Sequence, residues 1–177
     1  MNLILVGYRG SGKTTVGRCL AKQLGFRFVD LDSEIVRSAQ RSIRQIFDTE
    51  GEAGFRQRER KAIDSFAKCK RRVIALGGGA VDDPEARRMV TRLGRVVWLR
   101  APAVVLWARI RQDPSTERSR PDLTPAGGLA EVESLLAARE PAYRETALHV
   151  VDTASSSPEQ IAQAIGLWFR AKDSFYD

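Results

Sequence analysis

Histidine and cysteine, on which most transition-metal sites depend, are nearly missing from this chain: His149 is its single histidine, and Cys19 and Cys69 are its two cysteines. The cysteines lie far apart, without a C-x-x-C or Cys/His ligand spacing, which argues against a zinc site and a disulfide framework. They read as reduced, partly buried thiols of a cytoplasmic protein. Long apolar runs are also missing. None approaches the ~18–20 residues a membrane span requires, so no membrane partner is expected. The chain starts directly in a strand-like segment, without a charged n-region or a long apolar h-region, so no signal peptide is expected. Acidic residues are the minority, 22 against 29 basic, for a net charge of +7. The arginines are scattered, with no basic tail and no aromatic interleaving, so no nucleic acid is expected. Small anionic ligands account for the excess equally well.

What is present is ordinary in bulk and specific in detail. A length of 177 residues with 43% hydrophobic and 29% charged content suits a single domain, residues 1–177, with one core. Residues 7–14, Gly7-Tyr-Arg-Gly-Ser-Gly12-Lys13-Thr14, fit G-x-x-x-x-G-K-[ST], the phosphate-cradling loop of P-loop NTPases. Its glycines let the backbone curl with several N–H groups facing inward, where a Cβ would clash. Lys13 can reach the β/γ-phosphates and the Thr14 hydroxyl can ligate Mg²⁺. An apolar run, Asn2–Val6, precedes the loop, and a helical pattern, Val16 to Leu24, follows it. That setting also brings a helix N-terminus to the anion.

Strand-like and helix-like segments alternate throughout, the signature of an α/β fold on a parallel sheet. The candidate strands are Leu3–Val6, Phe26–Asp30, Val73–Leu76, Val96–Leu99 and Leu148–Val151. Ser42 with Gln45 and Ser157 with Gln160 form possible capping boxes, and Asp83-Pro84 offers a cap followed by proline. In the last helix Ile161, Ala164, Ile165, Trp168 and Phe169 read as one apolar face. Residues 31–70 hold two or three helices where a simple βαβ unit needs one. Residues 112–128 are polar and rich in Pro and Gly. Such a stretch in a compact domain is functional or disordered, and Arg118 and Arg120 favour a mobile lid over phosphates.

Three further groups carry chemistry. In an extended segment Asp30 and Asp32 would face one way, one holding Mg²⁺ through its water shell and the other accepting a hydroxyl proton. Alternatively, one of them caps the following helix. Gly77, Gly78 and Gly79 end the third strand, where bare backbone can approach a ligand. Arg56 lies beside a stripe of Phe55, Ala62, Ile63 and Phe66 and either faces the cleft or makes an i, i+4 surface pair with Glu52. Arg139, on the apolar side of its helix, needs an anionic partner or a route to solvent.

Together these pieces resemble the shikimate kinase family, in family order and over nearly the whole chain. They are Gly7-x4-Gly12-Lys13-Thr14, Asp30-x-Asp32, Gly51-Glu52 leading to Phe55-Arg56, Gly77-Gly78-Gly79-Ala80, Arg120-Pro121, and Arg139-Glu140-Pro141-x-Tyr143-Arg144. The resemblance implies a three-layer P-loop kinase fold, a five-stranded parallel sheet of order 2-3-1-4-5 flanked by helices. It also implies a substrate-binding helical region at about 31–62 and a lid at about 112–128. By the same resemblance the chain would be a monomer that binds ATP and shikimate. Gly10, Ser11, Gly12, Lys13, Thr14 and Thr15 would hold the nucleotide; Lys13 would stabilise the transferring phosphoryl, and Thr14 and Asp30 would hold Mg²⁺. Asp32 would bind the shikimate hydroxyls and take the proton of the 3-hydroxyl. Arg56 and Arg139 would clamp the carboxylate, and Gly77, Gly78 and Gly79 would line the pocket. Arg120 would swing in with the lid.

The lid departs from the pattern common in the family, Arg-Pro-Leu-Leu after a shorter approach; here Arg109-Ile-Arg111 is followed only later by Pro121-Asp-Leu-Thr. The adenine-side arginine is therefore either Arg109 or Arg111, and Arg118 competes with Arg120 for the catalytic place. Rival readings fit less well. A gluconate-type kinase would carry Asp-x-Leu-His-Pro after the second strand, and the lone histidine is far away in the last strand. Nucleotide kinases lack a reason for Arg56 and Arg139 around the glycines. A GTP-binding switch would explain Asp48-Thr-Glu-Gly51 but needs Asn-Lys-x-Asp, and the only asparagine is Asn2.

Overall fold

The computed structural model describes residues 1–113 and 128–173. The expected lid falls almost wholly outside them, with Arg118 and Arg120, as do Phe175 and Tyr176 at the C-terminus.

Strand β1 (Asn2–Val6) is buried at every position, which is why Leu3–Val6 reads as an unbroken apolar run. It forms the centre of a five-stranded sheet with β2 (Arg27–Asp30), β3 (Arg72–Ala75), β4 (Gly94–Arg100) and β5 (His149–Asp152). The strand order is β2-β3-β1-β4-β5 and the pairings are parallel. Leu3 stands opposite Val73 on one side, and Ile4 opposite Val96 on the other. The order reverses at β1, so a crevice opens beyond the carboxyl ends of β1 and its neighbours, the place where such sheets bind ligands.

Helix α1 (Lys13–Leu24) leaves the loop after β1, and α2 (Leu31–Ala39) starts directly from β2. Helix α3 (Ile43–Ser65) carries the expected Ser42–Gln45 capping box and bends at Gly51, whose φ of +67° no other residue type adopts cheaply. Residues 31–70 thus hold the extra helices expected of them. Helix α4 (Pro84–Leu93) starts from the Asp83 cap with proline at the first turn. Helices α5 (Ala103–Gln112) and α6 (Gly128–Thr146) flank the undescribed segment, and α7 (Pro158–Asp173) closes the chain behind the Ser157–Gln160 box.

Apolar layers cover both faces of the sheet. Leu3, Leu5, Val16, Leu20, Ile165 and Phe169 pack on the side of α1 and α7; Ile4, Val6, Ile35, Ile63, Val96 and Trp98 pack on the other. Ile161, Ile165 and Phe169 are buried as expected and Trp168 packs beside them, but Ala164 is exposed and Ala162 is buried, because the buried strip of α7 widens on the Ala162 side.

Candidate active site

The phosphate loop is built by backbone, and two of its glycines are required sterically. A Cβ on Gly7, at φ +142°, would sit 2.4 Å from the Leu99 carbonyl oxygen, and one on Gly10, at φ +78°, would sit 2.9 Å from that of Leu106. Gly12, also left-handed at φ 90°, caps α1 without a side-chain hydrogen bond, so the helix N-terminus stays open toward the cleft. Lys13 Nζ folds back on the loop, donating to the carbonyls of Gly7 and Tyr8 at 2.7 and 2.9 Å. Ser11 Oγ is buried with no hydrogen-bond partner among the described residues, as expected of a group that awaits an anion's oxygen.

A cleft of about 590 Å³ runs over this loop. It is lined by Gly10, Ser11, Gly12, Lys13, Thr14 and Thr15, by Asp30 and Asp32, and by Gly77 and Gly78. Its far end is formed by Arg109, Thr153 and Pro158. Arg109 donates to Thr153 Oγ1 at 3.0 Å and to the Thr153 carbonyl, which locks the guanidinium against the cleft. Arg111 is exposed and lies outside this lining, because α5 turns it about 200° away from Arg109.

The two aspartates reach the cleft by a different route from the one expected. They are not side by side on an extended strand. Asp30 ends β2 and caps α2, its Oδ1 accepting from Ser33 N at 3.1 Å, while its Oδ2 accepts from Thr14 Oγ1 at 3.0 Å. Asp30 therefore caps α2 and also lines the cleft. Asp32 lies in the first turn of α2 and passes so close to Gly77 that a Cβ there would sit 3.0 Å from Asp32 Oδ1.

A second cavity of about 230 Å³ meets the first at Gly77 and Gly78 and is lined also by Phe47, Phe55, Glu59, Gly79, Leu135, Arg56 and Arg139. The two arginines come from α3 and α6 and converge over Gly79. A Cβ on that glycine would stand 2.5 Å from Arg56 Nη2 and 3.0 Å from Arg139 Nη2. The glycines therefore make room for guanidiniums as much as for a ligand.

Carboxylates surround the pair. Glu59, buried, accepts from Arg56 Nη1 at 2.7 Å; Glu52 accepts from Arg56 Nη2 at 3.3 Å; Asp82 accepts from Arg139 Nε at 3.0 Å. Burial alone would lower the Arg56 pKa, but Glu59, Asp82 and Glu52 outweigh it and hold the group above its ordinary value. Arg139 also lies over the Tyr8 ring, 5.8 Å from its centroid. The Tyr143 hydroxyl donates to the Gly78 carbonyl, and burial raises its pKa well above that of a free phenol.

The sequence reading gave no role to Glu59, Asp82, Thr153 or Tyr143, although Tyr143 stands in the family-like run from Arg139 to Arg144. Glu59 was detectable, three residues beyond Arg56 on one helix face. Asp82 and Thr153 carry no local signal, since only the fold brings them to their arginines. Arg9 is another case: inside the phosphate loop it pairs at 3.1 Å with Glu131, a buried residue in the first turn of α6.

A doubly wound sheet with a phosphate loop opening onto a second, arginine-ended pocket defines a P-loop kinase of a small molecule. A family model described as shikimate kinase matches residues 9–169. The chain is 42% identical over 166 residues to shikimate kinase 2 of Yersinia pestis, covering 92% of this chain and 94% of that one. Among solved structures, shikimate kinase from Acinetobacter baumannii in complex with shikimate is similar at a TM-score of 0.89 and 36% identity, over 97% of this chain and 93% of that one. Shikimate kinase from Aquifex aeolicus follows at 0.82 and 31%, over 98% of each. The chain belongs to the shikimate kinase family.

Proposed function

We propose that this protein transfers the γ-phosphoryl group of MgATP to the 3-hydroxyl of shikimate, giving shikimate 3-phosphate and ADP. The observation that carries the assignment of sites is the junction of two cavities at Gly77 and Gly78, one floored by the phosphate loop, the other ending on Arg56 and Arg139. An acid held by its carboxylate on the guanidinium forks would present its ring hydroxyls toward Asp32 and the loop.

In the transfer, the acceptor oxygen forms a bond to the γ-phosphorus as the bond to the β,γ-bridging oxygen breaks, and the hydroxyl proton passes to the Asp32 carboxylate. Lys13 moves from its two loop carbonyls to the β/γ-phosphates and neutralises the charge that builds there. Alignment and charge neutralisation supply most of the barrier reduction in such reactions. Thr14 and Asp30 suit Mg²⁺: two hard oxygen donors within hydrogen-bond reach of each other match an ion that keeps most of its water and takes one or two protein ligands. The ion would supply charge neutralisation on the phosphate oxygens. Arg109 serves the adenine side. Arg120 is the proposed lid arginine on the phosphates.

ADP release from MgATP, followed with shikimate, gluconate, a nucleoside monophosphate and no acceptor in parallel, tests the assignment. A rate that requires shikimate and disappears in Asp32→Asn is expected. Hydrolysis indifferent to shikimate would overturn it.

A further inference from the structure

Asp82 stands where the two guanidiniums meet. Its Oδ2 accepts from Arg139 Nε at 3.0 Å and lies 4.0 Å from Arg56 Nη2. The same oxygen is 2.8 Å from the Cβ position of Gly79, the point on which both Nη2 atoms converge. Its backbone is fixed by the turn that presents the glycines: Asp82 N–H donates to the Gly79 carbonyl and Ala80 N–H to the Gly77 carbonyl, each at 3.1 Å. Ala80 and Val81 are buried and anchor that turn in the core. The carboxylate is therefore held at the pocket rim by the main chain, with 35% of its side chain open to water.

Two like charges aimed at one point repel unless something between them compensates. Glu59 and Glu52 act on Arg56. Asp82 acts on both cations, and it takes the Nε edge of Arg139, which leaves the two Nη groups for another carboxylate. We propose that Asp82 is a positioning residue for the acid-binding fork: it fixes the rotamer of Arg139 and offsets its repulsion with Arg56, so that both guanidiniums are aligned before the substrate carboxylate arrives. The proposal rests on the reading of Arg56 and Arg139 as the carboxylate clamp.

Steady-state kinetics of the full chain, varying shikimate and ATP separately, test it in Asp82→Asn, Asp82→Glu, Arg139→Ala and the Asp82→Asn/Arg139→Ala double variant, with thermal melts alongside. Asp82→Asn is expected to raise KM for shikimate about tenfold, the scale of one lost charged hydrogen bond. Its kcat, its KM for ATP and its Tm should stay near wild type, and Asp82→Glu should recover part of the loss. In the double variant the Asp82→Asn effect should largely vanish, because its target is gone. An unchanged KM in Asp82→Asn would overturn the proposal, and so would a lowered one, which would make the carboxylate a competitor of the substrate. Losses in kcat, KM for ATP and Tm together, or full additivity in the double variant, would reduce Asp82 to a fold contact and overturn it too. An Arg139→Ala enzyme with normal KM for shikimate would instead sink the clamp reading itself.

Discussion

The Thr14 hydroxyl donates to Asp30 Oδ2 across 3.0 Å, tying the first turn of α1 to the end of β2 at the mouth of the phosphate loop. The other oxygen of Asp30 caps α2. These two tasks separate in Asp30→Asn, since asparagine caps as well as aspartate but brings no charge to a metal ion. The half-saturating Mg²⁺ concentration should rise about tenfold or more, with stability changed by less than about 1 kcal/mol. A Mg²⁺ titration at fixed ATP, paired with a urea melt, reads both. An unchanged Mg²⁺ requirement would leave Asp30 only its capping role.

Glycine-to-alanine changes separate fold from site. In Gly7→Ala the new methyl meets the Leu99 carbonyl at 2.4 Å with φ at +142°, so neither contact nor dihedral can relax cheaply. A loss of at least about 2 kcal/mol of stability is expected. In Gly79→Ala the obstacles are side-chain atoms of Arg56, Asp82 and Arg139 and not backbone, so the guanidinium tips are displaced while the turn is kept. Stability should fall by less than about 1 kcal/mol while KM for shikimate rises about tenfold or more, because the fork is displaced. Urea melts and shikimate kinetics on both variants check the contrast; equal destabilisation would remove it.

Much of this was legible beforehand because the signals are local. Alternation pointed to an α/β fold on a parallel sheet, the strand order came from the family resemblance alone, and the capping residues Ser42, Asp83 and Ser157 marked their helices correctly by side-chain chemistry. Asp30 and Asp32 both line the cleft, but not by the extended geometry expected of them. The helix begins at Leu31, so period-two reasoning does not apply to the second carboxylate. That Arg109 lines the cleft and Arg111 does not follows only from the placement of α5 against Thr153, a contact across 44 positions of sequence. Asp82 was invisible for the same reason.

Arg118 and Arg120 lie outside the described residues, and kinetics separates them. A catalytic arginine that neutralises the transferring phosphoryl is worth at least ~10³ in turnover, so Arg120→Ala should lose that much. Arg118→Ala should stay within about tenfold of wild type. The reverse pattern in kcat, measured at saturating ATP and shikimate, would exchange the two assignments.

The lone histidine offers a pH test free of the active site. His149 stacks on Trp168 with ring centroids 4.7 Å apart and planes at 9°, and burial holds its pKa below the ordinary value of about 6.5. The folded state therefore prefers the neutral ring. Between the folded and unfolded pKa values the unfolded chain binds more protons, so this contribution to stability is full above about pH 6.5 and is lost as pH falls through the folded pKa. His149→Phe keeps an aromatic ring on Trp168 and removes the proton. Because the chain has no other histidine, few other side chains titrate in that window. Urea midpoints at pH 7.5 and 5 should show wild type losing stability relative to His149→Phe on acidification. Parallel pH profiles for the two proteins would mean that the stack does not disfavour the imidazolium.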